Sequence, residues 1–342
     1  MNEYEAQFAP YREQYLPPLE AWMQEQMNLF TATPELQAML TYHMGWTGPG
    51  AGPRARGKRI RPFLLLLVNQ AVGGPWEHAI PAAAAVEFVH NFSLLHDDIQ
   101  DHSPTRRGRP TVWARWGIEQ AINAGDALFA LAFRALDALR AHHPADVVLD
   151  VQRALTDACL ALTQGQHLDL AYEARTDLTE ADYWPMIRGK TAALLRAAAY
   201  MGARLGHPDP EAAAVYARFG EALGLAFQIW DDYLGIWGDP AMTGKSVASD
   251  LVARKNTLPV LYGLAHPESA FARRWRAGAI REDEAAALAQ ALAETGAQTF
   301  TQAQAQRWTE EALRALSQAP ARDPDARAAL QALAHWLLRR AY

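Results

Sequence analysis

The feature that most constrains this chain is the spacing of its apolar residues, which recur at three and four positions and do not alternate. Leu128, Leu131, Ala132, Ala135, Leu136 and Leu139 keep that spacing, which aligns them on one face of a helix. Ala-rich stretches such as Ala192 to Ala203 suit helices that pack closely. No run alternates Val, Ile or Thr with polar residues as a half-buried strand would. The pattern predicts an all-α bundle of roughly a dozen helices joined by short Gly/Pro connections. Length permits two domains at about one per 150 residues, but nothing between Arg59 and Arg204 reads as a linker, so 1–342 is read as a single domain. Gly45 to Gly57, GWTGPGAGPRARG, is the most loop-like stretch, and neither helix nor strand is expected there. Residues 282–338 read as helical packing or dimer surface.

Half the residues are apolar and 20% charged, with 32 Lys plus Arg against 38 Asp plus Glu and a net charge of −6. That excludes a disordered chain and argues against broad nucleic-acid binding, which favours a basic surface. The single cysteine, Cys159, permits neither an internal disulfide nor a CxxC metal site and fits a reducing compartment. The opening MNEYEAQFAP carries acids where a secretion signal carries bases. The longest aliphatic run, Phe63 to Val68, is far short of the about 20 residues a membrane span takes. A soluble, cytoplasmic protein with no transmembrane segment is expected.

Two acidic clusters carry the chemistry. In LLHDDIQD, Asp97 and Asp101 are four apart and share a helical face, with Asp98 beside them. A solvated acidic turn is the plain alternative, but the mostly apolar run Ala82 to Leu95 puts the acids where a buried helix emerges. In FQIWDD, Asp231 and Asp232 again follow an apolar helical run. A helix C-terminal turn is the alternative there, although acids are unfavourable at that end of the dipole. Carboxylates so close need a cation, and Mg²⁺, which joins one or two carboxylates to substrate phosphates, suits them. Two such helix ends facing each other would hold several ions and a diphosphate.

Cations come in sets that suit the same anion. In GKRIRP, Pro62 marks a first helical turn, so Lys58, Arg59 and Arg61 stand at its positive end, although a solvated basic loop is possible. Arg106, Arg107 and Arg109 follow in SPTRRGRPT, and guanidinium groups grip phosphate in pairs of hydrogen bonds. Lys190 with Thr191, Lys245 and Lys255 add further cationic positions, each of which alone reads equally as a surface charge.

Taken in order, GKRIRP, EFVHNFSLLHDDIQD, RRGRPT, GQHLDL, GKT, FQIWDD, GKSVASDL and RKNTLP resemble the trans-isoprenyl diphosphate synthases, the polyprenyl synthetase family, from about Gly57 to Leu261. The resemblance implies a prenyltransferase of isoprenoid biosynthesis, an isoprenoid synthase-type bundle around a central cavity, and a homodimer. It assigns Lys58, Arg61, His90 and Arg107 to the diphosphate of isopentenyl diphosphate. It assigns Asp97, Asp98, Asp101, Asp231 and Asp232 to Mg²⁺ bridging an allylic diphosphate. Arg106, Lys190, Thr191, Gln228, Lys245 and Lys255 fall to the allylic substrate and its leaving group. One position departs from the pattern: the second cluster reads DDYLG, with Gly235 where a third acid would stand.

The implied mechanism is Mg²⁺-assisted ionisation of the allylic C–O bond, attack by the alkene of isopentenyl diphosphate, and proton loss to the departed diphosphate. The dipoles of Gln228 and Thr191 would ease the carbocation, and apolar walls would keep water from it. Phe92 and Ser93, before Asp97, are the expected chain-length residues, with ordinary core packing the alternative for Phe92. The small Ser93 favours geranylgeranyl diphosphate as product, with farnesyl diphosphate next. A type I terpene cyclase and a non-catalytic subunit of a partner synthase are the competing readings. The paired basic sites speak against the first and the intact DDIQD against the second.

Overall fold

A computed structural model of the protein describes residues 3–207, 209–239 and 248–338. Its helices are α1 (Glu3–Gln26), α2 (Pro34–His43), α3 (Pro53–Arg56), α4 (Ile60–Ala71), α5 (Ile80–Gln100), α6 (Val112–Trp116), α7 (Ile118–Leu136) and α8 (Ala145–Tyr172). They continue with α9 (Glu180–Ile187), α10 (Ala193–Gly206), α11 (Pro210–Trp237), α12 (Ser249–Val252), α13 (Leu258–Leu264), α14 (Ala270–Arg276), α15 (Glu282–Glu294), α16 (Ala297–Gln318) and α17 (Pro324–Leu338). The all-α class expected from the periodicity is the one observed. The described residues of Met1–Thr156, Ala197–Ala214 and Pro320–Leu330 form one compact unit, and those of Asp157–Arg196, Val215–Ala319 and Gln331–Tyr342 a second.

In the first unit, α4 begins at Ile60, with Pro62 in its first turn and Arg59 at its N-cap. Phe63 to Val68 are all buried, so the longest aliphatic run is a core helix, each side chain contributing roughly 1.5–3 kcal/mol. No helix among the described residues is long and apolar enough to cross a membrane. Ile80 to Val89 of α5 are buried too; a helix apolar on all sides must be enclosed, and α5 packs against α4 and α7. Polar residues begin at His90, so the acids of α5 stand where the helix leaves the core.

Two local expectations need correction. The Gly-rich stretch 45–57 contains one helical turn, α3, which Pro53 opens because its preset φ suits a helix start. SPTRRGRPT forms a small hairpin in which β1 (Thr105–Arg106) pairs with β2 (Arg109–Pro110). Arg107 and Gly108, at φ 53° and 76°, supply the two left-handed residues that such a two-residue turn requires.

In the second unit, Gly165 of α8 and Gly189, beside the π-type turn Arg188–Ala192, approach backbone to backbone. A Cβ on Gly165 would lie 2.7 Å from the carbonyl carbon of Gly189. The glycines of GQHLDL and GKT thus allow the contact that brings Lys190 beside α8. Tyr183, Ile187, Leu225, Ile229 and Leu258 form part of one buried cluster, and Ile236, Leu251, Val260 and Phe271 part of another. Between them they hold α11 and the turn around α12.

Candidate active site

The basic set begins at the start of α4. Arg59 turns inward and is only 4% exposed: its Nε donates to Glu20 at 2.8 Å, Nη1 to Glu87 at 2.6 Å and Nη2 to the Met44 carbonyl at 3.1 Å. Trp46 also donates to Glu20, and Asn91 to Glu87. Of the three cations grouped at this helix start, Arg59 is therefore a structural tie, and Lys58 and Arg61 are left to meet an anion. Lys58 is exposed.

Arg61 Nη1 donates to His90 Nε2 at 3.2 Å. A guanidinium only donates, so the His90 proton sits on Nδ1 and the ring is neutral. Burial, with Arg61, Arg107 and Arg106 nearby, holds His90 well below the usual histidine value. Arg107 donates to the Ala55 carbonyl at 2.8 Å, and burial lowers it to about 10. Burial lowers Arg61 too, although Glu87 opposes the shift. Desolvated cations of this kind gain from an anion that restores their lost solvation.

His43 joins the set unforeseen, because nothing in its segment marks it. Burial and then Arg107, Arg106 and Arg59 push it down to about 3, and its Nε2 is buried without a partner. Arg109, grouped above with the phosphate-gripping arginines, is instead a clamp: it donates to the carbonyls of Pro49, Tyr42 and Thr47 at 2.9, 3.0 and 2.7 Å.

The first acidic cluster closes α5. Asp101 is its C-cap and donates its N–H to the Asp97 carbonyl at 2.8 Å. Asp98 is buried; its Oδ1 accepts from Arg106 Nε at 2.8 Å, whereas Oδ2 is buried without a partner. Burial raises this carboxyl to about 6 against the pull of Arg106. Among the described residues no three His, Cys, Asp or Glu converge closely enough to cage an ion. The donor set still fits Mg²⁺, which needs only one or two carboxylates when phosphates and waters complete the shell, and Asp98 Oδ2 is an open position for it.

Ser93 is buried one turn before Asp97, its hydroxyl donating to the His90 carbonyl at 2.8 Å. The Phe92 ring lies toward α7, its centroid 4.9 Å from both His96 and Phe129. Residues five apart point to different sides of a helix, so Phe92 and Asp97 do not share a face.

The second cluster is a hydrogen-bonded chain. Thr191 Oγ1 donates to Gln228 Oε1 at 2.6 Å, and Gln228 Nε2 to Asp232 Oδ1 at 2.8 Å. Tyr183 donates to Asp232 Oδ2 at 2.7 Å, as does the Leu258 N–H at 3.2 Å. Both Asp232 oxygens are thus occupied, unlike those of a waiting metal ligand, and burial still raises the group to about 7. The polar atoms of Thr191 and Gln228 likewise face each other. Asp231 is exposed. These acids do not sit in a C-terminal turn, because α11 runs on to Trp237, so the appeal to a misplaced acid no longer applies.

Lys190 is paired with Asp169 of α8, a residue inside GQHLDL that had no assigned role. Lys255 pairs with buried Asp250 at 3.5 Å. Desolvation opposes its charge, but Asp250, Asp231, Asp232 and Asp169 together hold it above the usual lysine value. Lys245 lies outside the described residues.

Comparison with known proteins agrees with this arrangement. Residues 52–295 match the polyprenyl synthetase family model. The chain is 40% identical over 317 residues to a (2E,6E)-farnesyl diphosphate synthase of Mycobacterium tuberculosis, covering 90% of this chain and 87% of that protein. It is 46% identical over 231 residues to a geranylgeranyl diphosphate synthase of the same species, covering 67% and 65%. Among solved structures, a polyprenyl synthetase from Streptomyces coelicolor superposes with a TM-score of 0.87 at 37% identity over 98% of this chain and 100% of the other. A geranylgeranyl pyrophosphate synthetase from Pyrococcus horikoshii gives 0.89 at 33% identity, covering 98% and 99%. The chain belongs to the polyprenyl synthetase family, the trans-isoprenyl diphosphate synthases, and is a short-chain prenyltransferase.

Proposed function

We propose that the chain condenses isopentenyl diphosphate with an allylic diphosphate and releases mainly geranylgeranyl diphosphate. The observation that carries the reading is the desolvated set Arg61, His90 and Arg107, a neutral imidazole between guanidinium groups short of counter-charge. Lys58, Arg61, His90 and Arg107 hold the diphosphate of isopentenyl diphosphate. Arg106, Lys190, Lys245 and Lys255 hold the allylic diphosphate, with Thr191 and Gln228 ordered beside them through Asp232. Asp97, Asp98, Asp101 and Asp231 hold Mg²⁺, and Asp232 orders their neighbours. Mg²⁺ bound there offsets the negative charge that gathers on the leaving diphosphate. Apolar side chains exclude water from the allylic cation, and the leaving diphosphate takes the proton.

The small Ser93 beneath Asp97 favours the longer product, and the geranylgeranyl diphosphate synthase relative supports it. Farnesyl diphosphate is the second reading, favoured by the relative matched over 90% of the chain. The family match draws on residues of both compact units, which supports treating 1–342 as one functional domain. A homodimer is supported by Ile118, Ile122 and Phe129, apolar yet exposed along α7, and cytoplasmic residence by the single cysteine. Incubation with Mg²⁺, isopentenyl diphosphate and the dimethylallyl, geranyl or farnesyl primer, with products sized by chromatography, tests the reading. Extension to the twenty-carbon product is expected, and no extension from any primer refutes it.

A further inference from the structure

The second acidic cluster lacks its third acid, and the reason lies across the fold. Residues 231 and 235 of α11 are four apart and share a face, so an acid at 235 would stand one turn beyond Asp231. A Cβ built on Gly235 would lie 2.5 Å from Cγ and 3.2 Å from Oδ1 of Asp250, and nearer still to Oδ2. The volume an acid would fill is already occupied by a carboxylate. Gly235 is not there for backbone freedom, since its φ is not positive. Glycine inside a helix is unfavourable relative to alanine, so its presence answers to the group packed on it.

Asp250 is 5% exposed and is aimed by its own turn. Ala248 takes a left-handed φ of 49° before α12, and the Lys255 N–H donates to the Asp250 carbonyl at 3.0 Å. The same residue therefore grips Lys255 twice, by backbone and by carboxylate. Asp250 also acts electrostatically on Asp232, and Lys255 on all the surrounding acids.

We propose that Gly235 and Asp250 are a matched pair, in which Asp250 delivers from α12 the carboxylate that position 235 lacks and so positions the Lys255 ammonium for the allylic diphosphate. Asp250 is a positioning residue acting through Lys255, and the proposal rests on the prenyl-transfer reading above. A carboxylate on α11 and one on α12 exclude each other, and one of the two is required.

Four variants test this: Asp250→Asn, Asp250→Ala, Gly235→Asp and the double Gly235→Asp/Asp250→Ala. KM is measured separately for isopentenyl diphosphate and the allylic primer, with urea unfolding of each variant. Asp250→Asn keeps the volume and loses the charge, and should raise the allylic KM about 10-fold or more, the scale on which supporting residues act, while leaving the isopentenyl KM within about twofold. Gly235→Asp should lose more, and the double variant should regain most of that loss. The idea is overturned if Asp250→Asn changes neither KM, or if the double variant is no better than its worse single. Should the parent extend no primer, the prenyl-transfer reading fails instead. Urea midpoints then decide the pairing: the Gly235→Asp loss must shrink in the Asp250→Ala background, and additive losses reject the pair.

Discussion

Replacing Arg59 by methionine, similar in length but uncharged, would strand Glu20 and Glu87 in the core of the first unit. The parent side chain makes two charge-assisted hydrogen bonds and one to a carbonyl, all from a 4% exposed residue. Bonds to charged groups are worth about 1.5–3 kcal/mol each, and removing one partner of a buried ion pair costs about 3–5 kcal/mol. We expect Arg59→Met to lose about 3–5 kcal/mol, a large part of the roughly 5–15 kcal/mol that holds a domain folded. Urea unfolding followed by circular dichroism reads this as a lower midpoint. The double variant Arg59→Met/Glu87→Gln should recover part of the loss, because one stranded charge is gone. Because the pair is shielded from solvent, raising salt from 0.1 to 0.5 M, levels at which exposed pairs are screened, should leave the deficit unchanged. A deficit below about 1 kcal/mol, or one that fades with salt, would refute a buried triad that ties down the start of α4.

Two other outcomes follow from the same unit. His43 titrates near 3 when folded against an ordinary 6.5; the unfolded chain takes up its proton first as pH falls, so this contribution to stability is present above 6.5 and lost between 6.5 and 3. Between pH 7 and 5 the parent should lose at most about 2 kcal/mol more than His43→Gln, and parallel pH profiles for the two would exclude His43 as the cause. For product length, Ser93→Phe should shift products from twenty carbons toward fifteen or ten, because it places a ring one turn beneath Asp97; an unchanged distribution on chromatography removes Ser93 as the limit.

Much of the site was legible in the sequence where chemistry and position coincide locally. The helical spacing gave the class, Pro62 gave the start of α4, and the apolar run before LLHDDIQD gave acids at a point of emergence from the core. Arginine roles were less legible, because each depends on which way the backbone turns. Arg59 points inward with a left-handed φ and finds Glu20 and Glu87, distant in the chain; Arg109 turns into three carbonyls across the hairpin. Asp232 reads as the twin of Asp231, yet neighbours one position apart on a helix face about 100° apart, and this one meets Tyr183, Gln228 and Leu258.

By itself the sequence determined which chemistry this protein carries, because carboxylates four apart on a helix and cations at a helix start act through local geometry alone. Tertiary structure decided which of those charges is free to meet a substrate. A charge taken out of water must be paired, and its partner is chosen by proximity in space: Arg59 is absorbed by Glu20 and Glu87, Lys190 by Asp169, and the acid missing at Gly235 is replaced by Asp250.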